Sequence, residues 1–117
     1  MVQVAEKKGK NFSGAVSVAS MVEDVIGCKW TLHILEQIRT GVQRPGAIVR
    51  SHPGLTTKVL NERLRKLVRF GIVKRNSFPE IPPRVEYELT EIGRRLIPIL
   101  DSVQDLQRQL ERPGQRR

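Results

Sequence analysis

Apolar residues recur at helical spacing along most of the chain and change to alternate positions after residue 71. Spacings of three and four residues indicate amphipathic helices, whereas alternation indicates half-buried strands. The first pattern predicts helices over residues 17–26, 29–39, 46–51 and 57–70, and a last helix that begins after Thr90. The second pattern predicts strands over residues 72–77 and 85–89. The expected order is helix, helix, short helix, long helix, hairpin, helix.

Glycine, proline and threonine mark the ends of these segments. Gly27 is expected to end the first helix in the left-handed conformation, and Gly41 and Gly71 are expected to end two later helices. Thr56 is a good N-cap for the long helix, because its hydroxyl accepts an N–H of the first turn. Pro98 lies inside the pattern of the last helix, so we expect a bend or a break there.

The long helix has two chemically distinct faces. One face is apolar and carries Leu60, Leu64, Leu67 and Val68. The opposite face is polar and carries Lys58, Asn61, Glu62, Arg65 and Arg69. We therefore expect this helix to pack on a core through its apolar face and to present a mostly cationic surface to solvent.

The net charge of +9 is concentrated in the middle of the chain. Residues 39–75 contain ten basic residues and one acidic residue, whereas the rest of the chain contains eleven of each sign. A focused basic region is typical of a protein that binds a polyanion. The alternative is a solvated face that is basic only for solubility.

The predicted elements match a winged helix-turn-helix, an α+β and mainly α fold with a two-stranded β-hairpin wing. Residues 78–84 contain three prolines, which stiffen the tip of the hairpin. The last helix has more apolar residues than one buried stripe needs, so we expect it to serve also in dimerisation. Residues 17–111 form the predicted domain, between a mobile basic arm (residues 1–16) and a disordered tail (residues 112–117).

Three stretches of the sequence are distinctive: IGCKWTLHIL at residues 26–35, GLTTKVLNERLRKL at residues 54–67 and FPEIPPRVEYELTEIG at residues 78–93. Together they resemble the HxlR-type transcription regulators, which belong to the winged-helix group that includes MarR-like proteins. The resemblance implies a homodimer on a pseudo-palindromic operator in double-stranded DNA. It places the recognition helix at residues 57–70 in the major groove and the wing along the backbone or in the minor groove.

The predicted DNA-contacting residues lie on the long helix and around it. Lys58 and Asn61 are the candidates for reading base edges, and the later cations are candidates for phosphate contacts. Arg84, at the stiff wing, suits a narrow minor groove, although pairing with a neighbouring glutamate is the alternative. Glu62 is expected either to accept a hydrogen bond from cytosine or, more simply, to form an ion pair with Lys58 or Lys66. The full set is Arg44, Thr56, Thr57, Lys58, Asn61, Glu62, Arg65, Arg69, Lys74 and Arg84.

The resemblance also implies that the first and last helices form the dimer interface. The residues expected there are Val18, Met21, Val22, Val25, Leu96, Ile99, Leu100, Val103, Leu106 and Leu110. Two positions depart from the family. Ser17-Val18 stands where the family usually has a cysteine followed by proline, and some members sense oxidants through that cysteine. Pro45 replaces an aromatic residue at the start of the short helix, so we expect different packing there.

Other chemistry is sparse in the sequence. Cys28 is the one cysteine, and it is a possible sensor or, more often for a lone cysteine, a small buried apolar residue. No metal site is expected from His33 and His52, and no cofactor and no catalytic motif are expected. The chain is therefore predicted to be a non-enzymatic regulator at the bacterial nucleoid in the cytoplasm, not in a membrane, with an unidentified small-molecule or redox effector possible. The alternatives are a nonspecific architectural nucleic-acid-binding module and a protein-interaction winged helix.

Overall fold

The computed structural model describes residues 17–111, which form five helices and one hairpin. The elements are α1 (Val18–Gly27), α2 (Thr31–Arg39), α3 (Pro45–Arg50), α4 (Thr57–Arg69), β1 (Val73–Phe78), β2 (Arg84–Leu89) and α5 (Glu91–Glu111). This order confirms the predicted winged helix-turn-helix, with α3 and α4 as the helix-turn-helix pair and β1–β2 as the wing. The arm and the tail predicted at the two ends lie outside the described residues.

One apolar core is formed by side chains from helices α1, α2, α3 and α4, from the hairpin and from the first half of α5. From α4, the side chains of Leu60, Leu64 and Leu67 are fully buried in it. Val68 was expected beside them, but it is 40% exposed. At 100° per residue Val68 lies about 80° from Leu60, at the edge of the apolar stripe, so the core does not reach it.

The helix ends follow the predictions at three of four positions. The Thr56 hydroxyl accepts the Val59 N–H at 3.2 Å, which confirms the N-cap of α4. Gly41 and Gly71 have φ values of +103° and +78°, which glycine adopts without a Cβ penalty. Gly27 is the last residue of α1, as predicted, but the expectation that it adopts the left-handed conformation is wrong. The C-cap is an extended Cys28, and two residues later Trp30 takes the left-handed conformation, with φ at 80°.

Helix α5 docks closely on the turn before β1. The Thr90 hydroxyl donates to the Gly71 and Ile72 carbonyls and accepts the Gly93 N–H at 3.0 Å, so it caps α5 as expected. A Cβ on Gly93 would lie 2.1 Å from the Ile72 carbonyl oxygen, so only glycine fits there. Helix α5 continues through Pro98, so the expected break is absent, and a bend there stays a prediction. Pro98 is exposed, so the carbonyl that lacks its partner one turn earlier can be solvated.

The wing is an antiparallel hairpin fixed to the body of the domain. Its strands pair from Val73 with Leu89 to Phe78 with Arg84. The Tyr87 N–H donates to the Gln43 carbonyl at 2.9 Å, which ties β2 to the connection between α2 and α3. The wing therefore has a fixed position relative to the helix-turn-helix. Within residues 17–111, the helices are all too short or too polar to span a lipid bilayer.

Candidate nucleic-acid interface

The polar face of α4 is exposed along its whole length. Lys58, Asn61, Arg65 and Arg69 are all exposed, as the sequence predicts. At 100° per residue, Arg65 and Arg69 each lie within about 20° of Lys58, so the three cations form one row. The row is about 16 Å long, because the rise is 1.5 Å per residue. We call these three residues the cationic row.

The cations of α4 divide into two groups by their contacts. Lys66 pairs with Asp24 at 2.9 Å, and the Arg63 Nε donates to the Lys29 carbonyl at 3.0 Å. These two side chains hold α4 against α1 and the turn after it. The cationic row has no carboxylate within ion-pair distance among residues 17–111. Its charge is therefore available to an external anion.

The remaining candidates on α4 lie at its first two turns. Thr56 is committed to its capping bond, while Thr57 is exposed at the first helical position. The carboxylate of Glu62 lies 4.0 Å from the Arg63 guanidinium. Glu62 therefore pairs, but the expected partners Lys58 and Lys66 are wrong, because Lys66 is turned toward α1.

The three cations around the wing that were predicted to contact DNA are paired with glutamates, whereas Arg75 of β1 donates to the Ser77 hydroxyl at 2.9 Å. Lys74 lies 3.1 Å from Glu88, and Arg44 lies 3.6 Å from Glu86. The Asn76 amide and Lys74, both bound to the Glu88 carboxylate, lower the pKa of that carboxyl. Lys74 and Arg44 are exposed, so a phosphate can compete for them. Their roles in binding DNA stay predictions.

Arg84 is held inside the wing rather than presented at its tip. Its guanidinium lies 2.9 Å from Glu80, 3.5 Å from Glu86 and 4.0 Å from the centroid of the Phe78 ring. Its Nε is buried without a hydrogen-bond partner. The structure thus places Arg84 as the ion-pairing alternative describes, and a contact with DNA stays a prediction.

An ion pair links α1 to α4. Besides accepting from Lys66, the Asp24 carboxylate accepts the Cys28 thiol at 3.3 Å. The Lys66 hydrogen bond lowers the pKa of Asp24, and partial burial opposes it. Cys28 is half-buried. A sensing role for Cys28 stays a prediction.

The residues expected in the dimer interface divide into a buried group and an exposed group. Met21, Val25, Leu96 and Leu100 are buried in the core of the protomer, and Val22 packs against that core. Val18, Ile99, Val103, Leu106 and Leu110 are exposed. Ile92 is also exposed and was missed, although its seven-residue spacing from Ile99 places it on the same face of α5. The exposed apolar face of α5 thus runs from Ile92 to Leu110.

The two histidines meet Trp30 beside the turn between α3 and α4. The rings of His33 and His52 lie 5.9 Å apart, with Trp30 edge-on to both. His33 shares a hydrogen bond with Ser51. Trp30 and Tyr87 pack partly buried against the core. No group of three or more potential metal ligands occurs among the described residues.

Comparisons with known proteins agree with this architecture. The sequence profile of the HxlR-like helix-turn-helix family matches residues 25–114. The chain is 42% identical over 96 residues to the HTH-type transcriptional regulator YtcD of Bacillus subtilis, covering 82% of this chain and 72% of that protein. It is 39% identical over 94 residues to an HTH-type transcriptional regulator of Synechocystis sp., covering 80% and 70% respectively.

A solved structure gives the same result. A protein of Enterococcus faecalis V583, described as a MarR-family transcriptional regulator, superposes with a TM-score of 0.69 at 37% identity, over 77% of this chain and 82% of that one. The family consists of regulators rather than enzymes. The fold and these similarities show that the chain belongs to the HxlR-like helix-turn-helix family of transcriptional regulators.

Proposed function

We propose that the protein is a sequence-specific regulator that binds double-stranded DNA as a homodimer on a pseudo-palindromic operator. The observation that carries this proposal is the cationic row of Lys58, Arg65 and Arg69, which has no carboxylate partner within residues 17–111. The row lies on the exposed face of the second helix of the helix-turn-helix, the element that enters the major groove in this fold. Such a regulator acts at the nucleoid, in the cytoplasm.

Residues along α4 have different roles in this proposal. Thr57, Lys58 and Asn61 lie in its first two turns, from which side chains reach base edges. Lysine can donate to guanine O6 and N7, and asparagine pairs with adenine N6 and N7. Arg65 and Arg69 lie further along and contact phosphates, which supply affinity without sequence information.

The exposed apolar face of α5 supports the homodimer. Leu106 and Leu110 are 58% and 56% exposed, and both lie beyond the part of α5 that contacts the core. A second copy that packs on the same face removes these side chains from water, and a two-fold axis then relates the two recognition helices. That symmetry matches half-sites about one helical turn apart.

The phosphate contacts can be tested by the salt dependence of binding to a duplex of mixed sequence. We expect Arg65→Ala with Arg69→Ala to reduce the slope of log affinity against log salt by about 1.8, since each phosphate contact contributes about 0.9. Arg108→Ala, an exposed arginine near the end of α5, is the matched control and should leave the slope unchanged. Equal salt slopes for the double variant and the control would show that Arg65 and Arg69 of α4 do not contact phosphates.

The other functions considered predict different outcomes of DNA-binding assays. A nonspecific architectural protein retains all duplexes equally, and a protein-interaction winged helix retains none at moderate salt. The effector, whether a small molecule or an oxidant, stays a prediction, as does the part that Cys28 plays in it.

A further inference from the structure

The tip of the wing carries a fully exposed aliphatic side chain. Ile81 has a relative exposure of 101%, the highest among the exposed large apolar residues of the described chain. A side chain with no neighbours to bury it does not stabilise the fold, since the hydrophobic contribution scales with the area removed from water. The stability of the fold therefore does not explain why an isoleucine occupies this position.

The loop that carries Ile81 is held by several contacts. Phe78 pairs with Arg84 at its base, and the Arg84 guanidinium stacks on the Phe78 ring at 4.0 Å. The Glu80 N–H donates to the Phe78 carbonyl at 2.8 Å. Pro79, Pro82 and Pro83 restrict the backbone further. Ile81 is thus presented from a stiff support, which lowers the entropy lost when the side chain contacts a partner.

The tip is also electrically neutral. The only charges in residues 78–84 are Glu80 and Arg84, and these two pair with each other at 2.9 Å. The ion pair compensates the charge of Glu80, which would otherwise repel a phosphate. It also engages Arg84, which would otherwise attract one. What the tip offers to a partner is an apolar surface rather than a cation.

The tip lies next to the helix-turn-helix. Pro82 and Pro83 line a cleft of about 450 Å³ whose other wall is formed by Arg44 and Pro45 at the start of α3. Arg44 is exposed and belongs to the cationic middle of the chain. The apolar tip therefore lies beside Arg44, one of the residues predicted to contact DNA.

We propose that Ile81 inserts into the minor groove of DNA and favours A·T over G·C pairs beneath the wing. Aliphatic side chains are used in this way by proteins that bind the minor groove. The guanine amino group projects into that groove and is absent from A·T pairs, so an apolar side chain approaches A·T pairs more closely. This inference rests on the proposed function, and it assigns to the wing a specificity that does not depend on charge.

The test uses DNA enriched by the wild-type protein from a random duplex library. At the enriched A·T positions that the wing protects, each pair is replaced by G·C or by inosine·C, which lacks the minor-groove amino group. We expect wild-type affinity to fall about tenfold on G·C and to be kept on inosine·C. We expect Ile81→Ala to bind about tenfold more weakly and to lose this discrimination. Ile81→Val should restore most of it.

Two further readouts distinguish the possible failures. Ile81→Ala should leave the thermal midpoint and the salt slope unchanged, because the side chain has no intramolecular contact and no charge. Equal affinity and equal discrimination by wild type and Ile81→Ala would overturn the wing-tip proposal alone and would point to a protein partner for Ile81. Failure of the wild type to enrich any sequence would instead contradict the proposed function.

Discussion

Replacement of Gly93 by alanine tests how α5 is joined to the DNA-binding part of the domain. The added Cβ would lie 2.1 Å from the Ile72 carbonyl oxygen, whereas carbon and oxygen atoms normally approach no closer than about 3.3 Å. The neighbouring group is backbone, so α5 has to move away by about 1.2 Å. That movement breaks the bonds from the Thr90 N–H and hydroxyl to the Ile72 carbonyl, now 3.0 and 3.1 Å long.

The expected loss of stability follows from these contacts. Two hydrogen bonds contribute about 1 kcal/mol each, and displacing Leu96 and Leu100 from the core adds about 1–2 kcal/mol. Alanine regains up to about 1 kcal/mol through its helix propensity. The free energy of unfolding should therefore fall by about 2–3 kcal/mol, and the thermal midpoint by about 10–20 °C at fixed protein concentration.

Circular dichroism during heating measures this effect, and Gly27→Ala is the matched control. Gly27 also lies in a helix, but a Cβ there meets nothing within 4 Å. Gly27→Ala should be neutral or slightly stabilising. A thermal midpoint of Gly93→Ala within about 2 °C of the wild type would refute the close approach of α5 to Ile72.

Two other substitutions test the remaining contacts. Asp24→Asn should lower the stability at pH 7 by about 1 kcal/mol, because the partly buried Asp24 carboxylate loses its charge-assisted bond with Lys66. The pKa of Asp24 lies below its usual 3.8, so the stabilisation by this ion pair is present above pH 3.8 and is lost as the pH falls through the lowered pKa. A difference in stability between wild type and variant that stays constant from pH 7 to pH 2 would contradict the ion pair. Ile99→Glu with Leu106→Glu should give monomers in sedimentation, since unpaired charges are costly in an apolar interface. Val68→Glu on α4 is the control and should remain a dimer. A dimeric double variant would show that the interface does not include this face of α5.

The fold was largely predictable because the sequence is locally consistent. The leucines of α4, the Thr56 cap and the alternation of β2 each indicate the same element that tertiary packing produces. The failures occur where local signals compete with tertiary contacts. Gly27 was expected to adopt the left-handed conformation. Trp30 adopts that conformation instead, and its ring packs against the core and the histidines.

The candidate site was predictable as a surface but not as a set of partners. Helical periodicity identifies which α4 residues face outward, and all five residues proposed there as base readers or phosphate contacts are exposed. Periodicity contains no information about residues far apart in the chain. The pairing of Lys66 with Asp24, 42 positions away, and the double pairing of Arg84 are therefore visible only in three dimensions.

Sequence-specific recognition of DNA by a symmetric dimer can be tested by selection from a random duplex library at about 150 mM salt. We expect enrichment of an inverted repeat whose half-sites are about one helical turn apart, and loss of that enrichment in Lys58→Ala with Asn61→Ala. Retention of DNA without an enriched motif, or the same motif selected by that double variant, would contradict this expectation.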